Sequence, residues 1–154
     1  MPVSPQRMDL AAEAPGFSTQ MGRLSAQAGN RLDPLLVELV RLRASQINGC
    51  AFCMDSHSRD ALAKGEDPRR LATVAGWHES PFFSEQERAA LALTESVTLV
   101  SDAGHVPDDV YLEAAEHFDT EDLADLIALI IVINAWNRYA VATRMALPPL
   151  QSQG

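Results

Sequence analysis

At 154 residues the chain has room for one domain with its own core and is too short for two ordinary ones. Its 21 acidic against 12 basic residues leave a net charge of −9, a surface that repels phosphate backbones and anionic lipid, so neither nucleic acid nor a membrane is expected as a partner. The 47% apolar fraction is that of an ordinary globular protein, and the opening residues Met1 to Arg7 lack the apolar core of a secretory leader, so a cytoplasmic location is expected.

Residues 1–16 are expected to form a flexible N-terminal segment, followed by a single all-helical domain over 17–147 and a flexible tail over 148–154. The first helix is expected near 17–29. Asp33-Pro34 and Asp67-Pro68 each put a capping carboxylate before a proline at the first helical position, predicting helices over 33–47 and 67–78. The turn at Asn48-Gly49 separates the earlier of these from a helix over 50–64. Ser84 to Glu87 reads as a capping box opening a helix over 84–101, and acidic first turns after Pro107 and Asp119 predict helices over 107–118 and 120–145. Apolar residues recur at helical spacing, as in Leu35, Leu36, Leu39, Val40 and Leu42, and no segment alternates like a strand. The fold class is therefore all-α, a single-domain bundle of about six to seven helices joined by short loops.

The most apolar stretch, Leu123 to Val141, is interrupted by Asp125, Asn134, Asn137 and Arg138 before roughly 18 clean residues accumulate, and reads as a buried helix. It is apolar on nearly all sides from Leu126 to Ile133, which calls for cover on more than one side and suggests burial in a homo-oligomer.

The chemistry concentrates in Cys50-Ala51-Phe52-Cys53. In a reducing compartment two cysteines rarely act as a passive staple, so redox catalysis or metal binding is the better reading. Both fall in the first turn after the Asn48-Gly49 bend, where unpaired amides and the positive helix end favour thiolate. At about 100° per residue, Cys50, Cys53 and His57 lie within roughly 60° of one another on the wheel and share a face. His57 suits a proton relay near neutral pH, and Glu38 is placed to orient it if the turn folds the preceding helix back. Glu38 taken alone also suits an ordinary salt bridge to Arg41, three residues on.

Zinc is the main chemical rival, since two thiolates, an imidazole and a carboxylate are acceptable tetrahedral ligands. Three ligands crowded into one short helical stretch constrain that geometry poorly, so no metal is expected. His78, His105 and His117 are assigned no role.

The run from Glu38 to His57, with Glu, eleven residues, Cys-x-x-Cys, three residues and His, resembles the alkylhydroperoxidase D-like branch of the carboxymuconolactone decarboxylase family. The likeness continues through Ala61 to Glu66, Trp77 to Phe83, Glu87 to Leu91 and Ile133 to Arg138. It implies an all-helical fold assembling into trimers or hexamers and a thiol-dependent peroxidase-like activity that reduces hydroperoxides. Carried onto this chain, Cys53 is the peroxidatic cysteine and Cys50 the resolving one, closing a Cys50–Cys53 disulfide, with His57 and Glu38 as the proton relay. No bound cofactor is implied; electrons come from an external dithiol on a lipoyl-bearing or thioredoxin-like protein. Well-studied peroxidases of the family carry a histidine between the cysteines, where this chain has Phe52, so part of their relay is missing. The family's lactone decarboxylases generally lack the cysteine pair, which argues against that reaction here. A thiol-disulfide reductase, or a redox sensor or scaffold without turnover, remains the alternative.

Overall fold

The computed structural model describes residues 5–150; the expected flexible ends at 1–4 and 151–154 lie outside the described residues. The described chain is all-helical. Its helices are α1 (Leu10–Glu13), α2 (Pro15–Gln27), α3 (Pro34–Ile47), α4 (Ala51–Ala63), α5 (Pro68–Thr73), α6 (Glu85–Thr98), α7 (Val100–Ala103), α8 (Asp108–His117) and α9 (Thr120–Thr143).

The helix starts follow the capping chemistry. The Asp33 carboxylate accepts from the Leu35 and Leu36 amides, Asp67 from Arg69 and Asp119 from Asp122. Ser84 and Glu87 close the reciprocal capping box, at 3.2 and 2.8 Å.

The departures from expectation lie at helix ends and have local causes. The segment expected to be loose contains α1, whose first amides are capped by Asp9, and the Arg7 amide donates to the Thr143 carbonyl at 2.8 Å, pinning this stretch to the end of α9. The helix expected over 67–78 stops at Thr73 and tightens to a 3₁₀ turn at Val74–Gly76. Beyond it the Arg88 guanidinium takes the carbonyls of Trp77, His78 and Ser80, groups that a continuing helix would bond to its own amides. The helix expected over 84–101 breaks at Leu99 into α6 and α7, and Gly104, at φ +76°, ends it.

Helix α3 divides the core. One side buries Leu36, Val37 and Val40 against Leu93 of α6 and Leu126, Leu129 and Ile130 of α9; the other side packs Leu39 and Leu42 with Val74, Trp77, Phe83 and Leu91. Gly29, at φ +87°, lets the loop between α2 and α3 close on this core, since a Cβ there would meet Val37 Cγ2 at 3.0 Å. Helix α9 is long and apolar enough to span a membrane by length and composition alone, but it packs instead against α2, α3, α4, α6 and α8. Its polar interruptions have partners: Asp125 accepts from the Gly29 and Arg31 amides, and Asn134 and Asn137 accept from the Asn48 side chain. Asn137 is fully buried and also donates to Ser45 Oγ at 3.0 Å, so this amide ladder fixes the turn that precedes Cys50.

Candidate active site

Helix α3 ends at Ile47, Gly49 turns the chain at φ +64°, and Cys50 caps α4 with its sulfur accepting from the Cys53 amide at 3.3 Å. The Cys50 amide returns to the Ser45 carbonyl at 3.0 Å, and further along the pair Glu38 meets His57. Those two pairings share one antiparallel register, so the hairpin folds Glu38 back over the helix that carries the cysteines. Cys50 and Cys53 are joined as a disulfide, with 5.3 Å between their Cα atoms, and are 1% and 4% exposed. The cysteines thus sit at the turn of the α3–α4 hairpin, and Glu38 meets His57 further along it, on the stripe of α4 that also carries Cys53.

Glu38 is fully buried and multiply bonded. Its Oε2 accepts from His57 Nδ1 at 2.9 Å, and its Oε1 meets Lys64 Nζ at 2.5 Å and Arg41 at 3.2 Å. Burial pushes the carboxyl up, but the hydrogen bonds from His57 and Lys64, backed by the charges of His57 and Arg41, outweigh it and hold the group at about 2. An ionised carboxylate only accepts, so His57 donates through Nδ1 and keeps Nε2 for proton exchange. The salt bridge to Arg41 and the pairing with His57, alternatives in the sequence, coexist on this one carboxylate.

Sequence reasoning missed Lys64, although a signal was present: it lies seven residues after His57, two turns along the same stripe of α4. It also missed the residues that shape the approach to sulfur. A cavity of about 290 Å³ is lined by Cys53, His57, Ser25, Ser56, Trp136 and Met145, with Phe52 and Ala140 completing it. A second, of about 550 Å³, opens on Cys50. Phe52, Trp136, Ala140 and Met145 make most of the wall of the smaller one, so it is largely apolar beside the His57 imidazole.

Asp60 brings a third potential ligand atom within 4.8 Å of those of Glu38 and His57. Lys64 and Arg41 occupy Glu38 Oε1 and His57 occupies Oε2, so a cation arriving there would meet two fixed positive groups. The cluster is a charge-paired network around a carboxylate.

These features define an all-helical protein with a buried Cys-x-x-Cys disulfide backed by a glutamate–histidine pair. The chain belongs to the carboxymuconolactone decarboxylase family, whose model matches residues 13–96. It is 45% identical over 105 residues to the uncharacterized protein YdfG of Bacillus subtilis (strain 168), covering 68% of this chain and 71% of that one. A crystal structure of a protein of unknown function from Agrobacterium tumefaciens, suggested to be the antioxidant defence protein AhpD, superposes with a TM-score of 0.91 at 33% identity, over 95% of this chain and 100% of that one. An uncharacterized peroxidase-related protein from Ralstonia eutropha JMP134, described as an alkylhydroperoxidase AhpD core, shares the fold with a TM-score of 0.78 at 21% identity, over 90% of this chain and 74% of that one.

Proposed function

We propose that this protein is a thiol-dependent, peroxidase-like oxidoreductase that reduces hydroperoxides through a Cys50/Cys53 dithiol–disulfide cycle, with His57 and Glu38 as its proton relay. The observation that carries the reading is that Cys53 and His57 line one apolar cavity while His57 Nδ1 is held by the buried, ionised Glu38. The likeness to AhpD-type and peroxidase-related proteins supports the same class of chemistry.

In the reduced protein the Cys53 thiolate attacks the terminal oxygen of a hydroperoxide. The O–O bond breaks, Cys53 becomes a sulfenic acid, and the alkoxide leaves with a proton from His57. Cys50 then attacks the Cys53 sulfur, releases the oxygen as water and closes the disulfide before further oxidation occurs. Glu38 keeps the imidazole oriented and stabilises its protonated form between these steps. No bound cofactor enters the cycle; an external dithiol, on a lipoyl-bearing or thioredoxin-like protein, restores the thiols.

The working unit in this reading is a homo-oligomer, a trimer or hexamer. Ile131 on α9 and Leu112 on α8 are 57% and 59% exposed, and half of the most apolar window of α9 is left unburied within the chain. Light scattering on the eluting protein checks the assembly, and a stable monomer overturns it.

The decisive experiment treats the reduced protein with cumene hydroperoxide and follows loss of both thiols and of peroxide. Stoichiometric disulfide formation and turnover with added dithiol are expected, and Cys53→Ser abolishes both. Turnover that persists in that variant sinks the reading; disulfide formation without turnover makes the protein a redox sensor.

A further inference from the structure

The proposed cycle brings two different molecules to one disulfide, and the structure gives each its own approach. The 290 Å³ cavity meets Cys53 and His57; the 550 Å³ cavity meets Cys50 and neither of those two. Phe52, Ala140 and Met145 line both and form the wall between them. These three also pack with the two cysteines in one small apolar cluster, so the wall is part of the core. The larger cavity is bounded chiefly by apolar side chains, among them Ala51 and Leu147, and among the described residues Arg144 is the only charged one that lines it. Arg144 is exposed and caps the end of α9 in the left-handed region, at φ +51°, its amide bonded to the Val141 carbonyl at 3.3 Å, which fixes its backbone at the edge of the cavity.

We propose that reducing equivalents enter through the Cys50 cavity, where an aliphatic dithiol bearing a negative charge attacks Cys50 Sγ while the hydroperoxide uses the Cys53 cavity. The inference rests on the peroxidase-like reading and assigns its second half-reaction. A thiolate must approach a disulfide along the S–S axis, opposite the sulfur it expels. A donor at Cys50 therefore expels Cys53, which emerges as thiolate in the cavity where His57 carries a proton. A donor coming through the other cavity would expel Cys50, on the side away from that proton donor.

The step balances. One donor thiolate bonds to Cys50 and the S–S electron pair leaves on Cys53, which takes up a proton. The donor's second thiolate then attacks its own sulfur in the mixed disulfide, forming the donor disulfide and releasing Cys50 thiolate, which is protonated in turn. Two electrons pass from the dithiol to the protein. Phe52, at the position where well-studied peroxidases of the family carry a histidine, is the part of the wall that lies between the two cysteines in sequence. It keeps the incoming dithiol from the hydroperoxide.

The test measures the two half-reactions separately on the full chain: oxidation of the dithiol form by cumene hydroperoxide, and reduction of the disulfide form by dihydrolipoate or the uncharged dihydrolipoamide. The disulfide form is prepared with diamide, so the reduction arm reads out even if hydroperoxide proves not to be the oxidant, a result that would defeat the functional reading and leave the donor route standing. Ala146→Trp, which fills the Cys50 cavity, should slow reduction roughly tenfold and leave oxidation unchanged, whereas Ser25→Trp in the other cavity does the reverse. Leu147→Trp should repeat the first result from a different position. Arg144→Gln should slow dihydrolipoate roughly fivefold and spare dihydrolipoamide. Equal slowing of both half-reactions by either cavity-filling change, or reduction blocked by Ser25→Trp alone, overturns the separate routes. Equal effects of Arg144→Gln on the two donors remove the anionic preference.

Discussion

Two buried carboxylates in this chain sit in clusters of similar make-up and do different things. Glu38 is fully buried and held by His57, Lys64 and Arg41. Glu66, 6% exposed, accepts from the Asp67 amide and from Arg70 Nε, both at 2.8 Å. Arg70 also bonds Glu87 at 2.5 Å and the Phe82 carbonyl, and lies over the Phe83 ring at 5.0 Å. The Glu87 hydrogen bond raises the guanidinium above its already high ordinary value, against the opposing effect of burial, so no proton moves in this second cluster. It ties the start of α5, the loop after Gly76 and the start of α6 together. What sets the Glu38 cluster apart is an imidazole, a group that can take up and give back a proton, lining a cavity beside sulfur. Burial and charge pairing are common to both clusters; the proton-exchanging partner facing a cavity marks the one suited to chemistry.

That contrast breaks most visibly at Arg70. Arg70→Leu leaves the Glu66 and Glu87 carboxylates without their shared cation and is expected to cost about 4 kcal/mol, from the typical loss when one partner of a buried pair is removed. Urea midpoints measure it, and the rate of thiol oxidation by hydroperoxide should be unchanged in the folded protein. A lowered rate at full folding would mean that the two clusters are coupled through α4 and α5.

The Glu38 cluster should respond to acid. Its carboxyl lies at about 2 in the folded chain against an ordinary 4.5. Its stabilisation is therefore complete above the unfolded value and is lost as pH falls from about 4.5 toward 2, a loss of roughly 3 kcal/mol. Denaturation followed across that window should show it in the wild type and not in Glu38→Gln. The same variant keeps the shape but loses the anion that orients His57, so thiol oxidation near neutral pH should fall roughly 10²-fold. A variant that oxidises at the wild-type rate would make Glu38 a structural ion like Glu66.

The sequence distinguished these clusters only in part, and the reason is physical. Helix starts were legible because Asp33, Asp67, Ser84 and Asp119 announce themselves through local capping chemistry. The cysteine–histidine face was legible because a single helix carries it at a fixed angular period. Helix ends were less so: the stop at Thr73 depends on Arg88, fifteen residues away, taking carbonyls that no local signal marks. Glu38 was placed with His57 through the turn between their helices, and Glu66 lies four residues before Arg70, but that Lys64 would join the first carboxylate and that Glu87 would share Arg70 with the second depends on contacts between elements. The cavities bring α4 and α9 together with α2 at Cys53 and with the stretches before α1 and after α9 at Cys50, tertiary packing that no single segment encodes.

The smallest expected effect falls on Lys64, the one lysine in the chain and the feature that most sharpens the comparison. Its ammonium lies 2.5 Å from Glu38 Oε1, yet its side chain is 41% exposed, so removing it should change stability by less than about 1 kcal/mol. What should move is the carboxylate. Without this hydrogen bond the Glu38 carboxyl rises from about 2 only as far as that small stability change allows, since His57 and Arg41 still hold it down, and the acid limb of the oxidation rate shifts slightly to higher pH. Lys64→Met tests this, and Lys64→Arg, which restores a cation at the same place, should return the limb to its wild-type position. Acetylating the native protein offers the same test without mutation, because Lys64 is the only side-chain amine that can react. An unshifted limb in both the variant and the acetylated protein would assign the relay to Glu38 and His57 alone, with Arg41 as the remaining counter-charge.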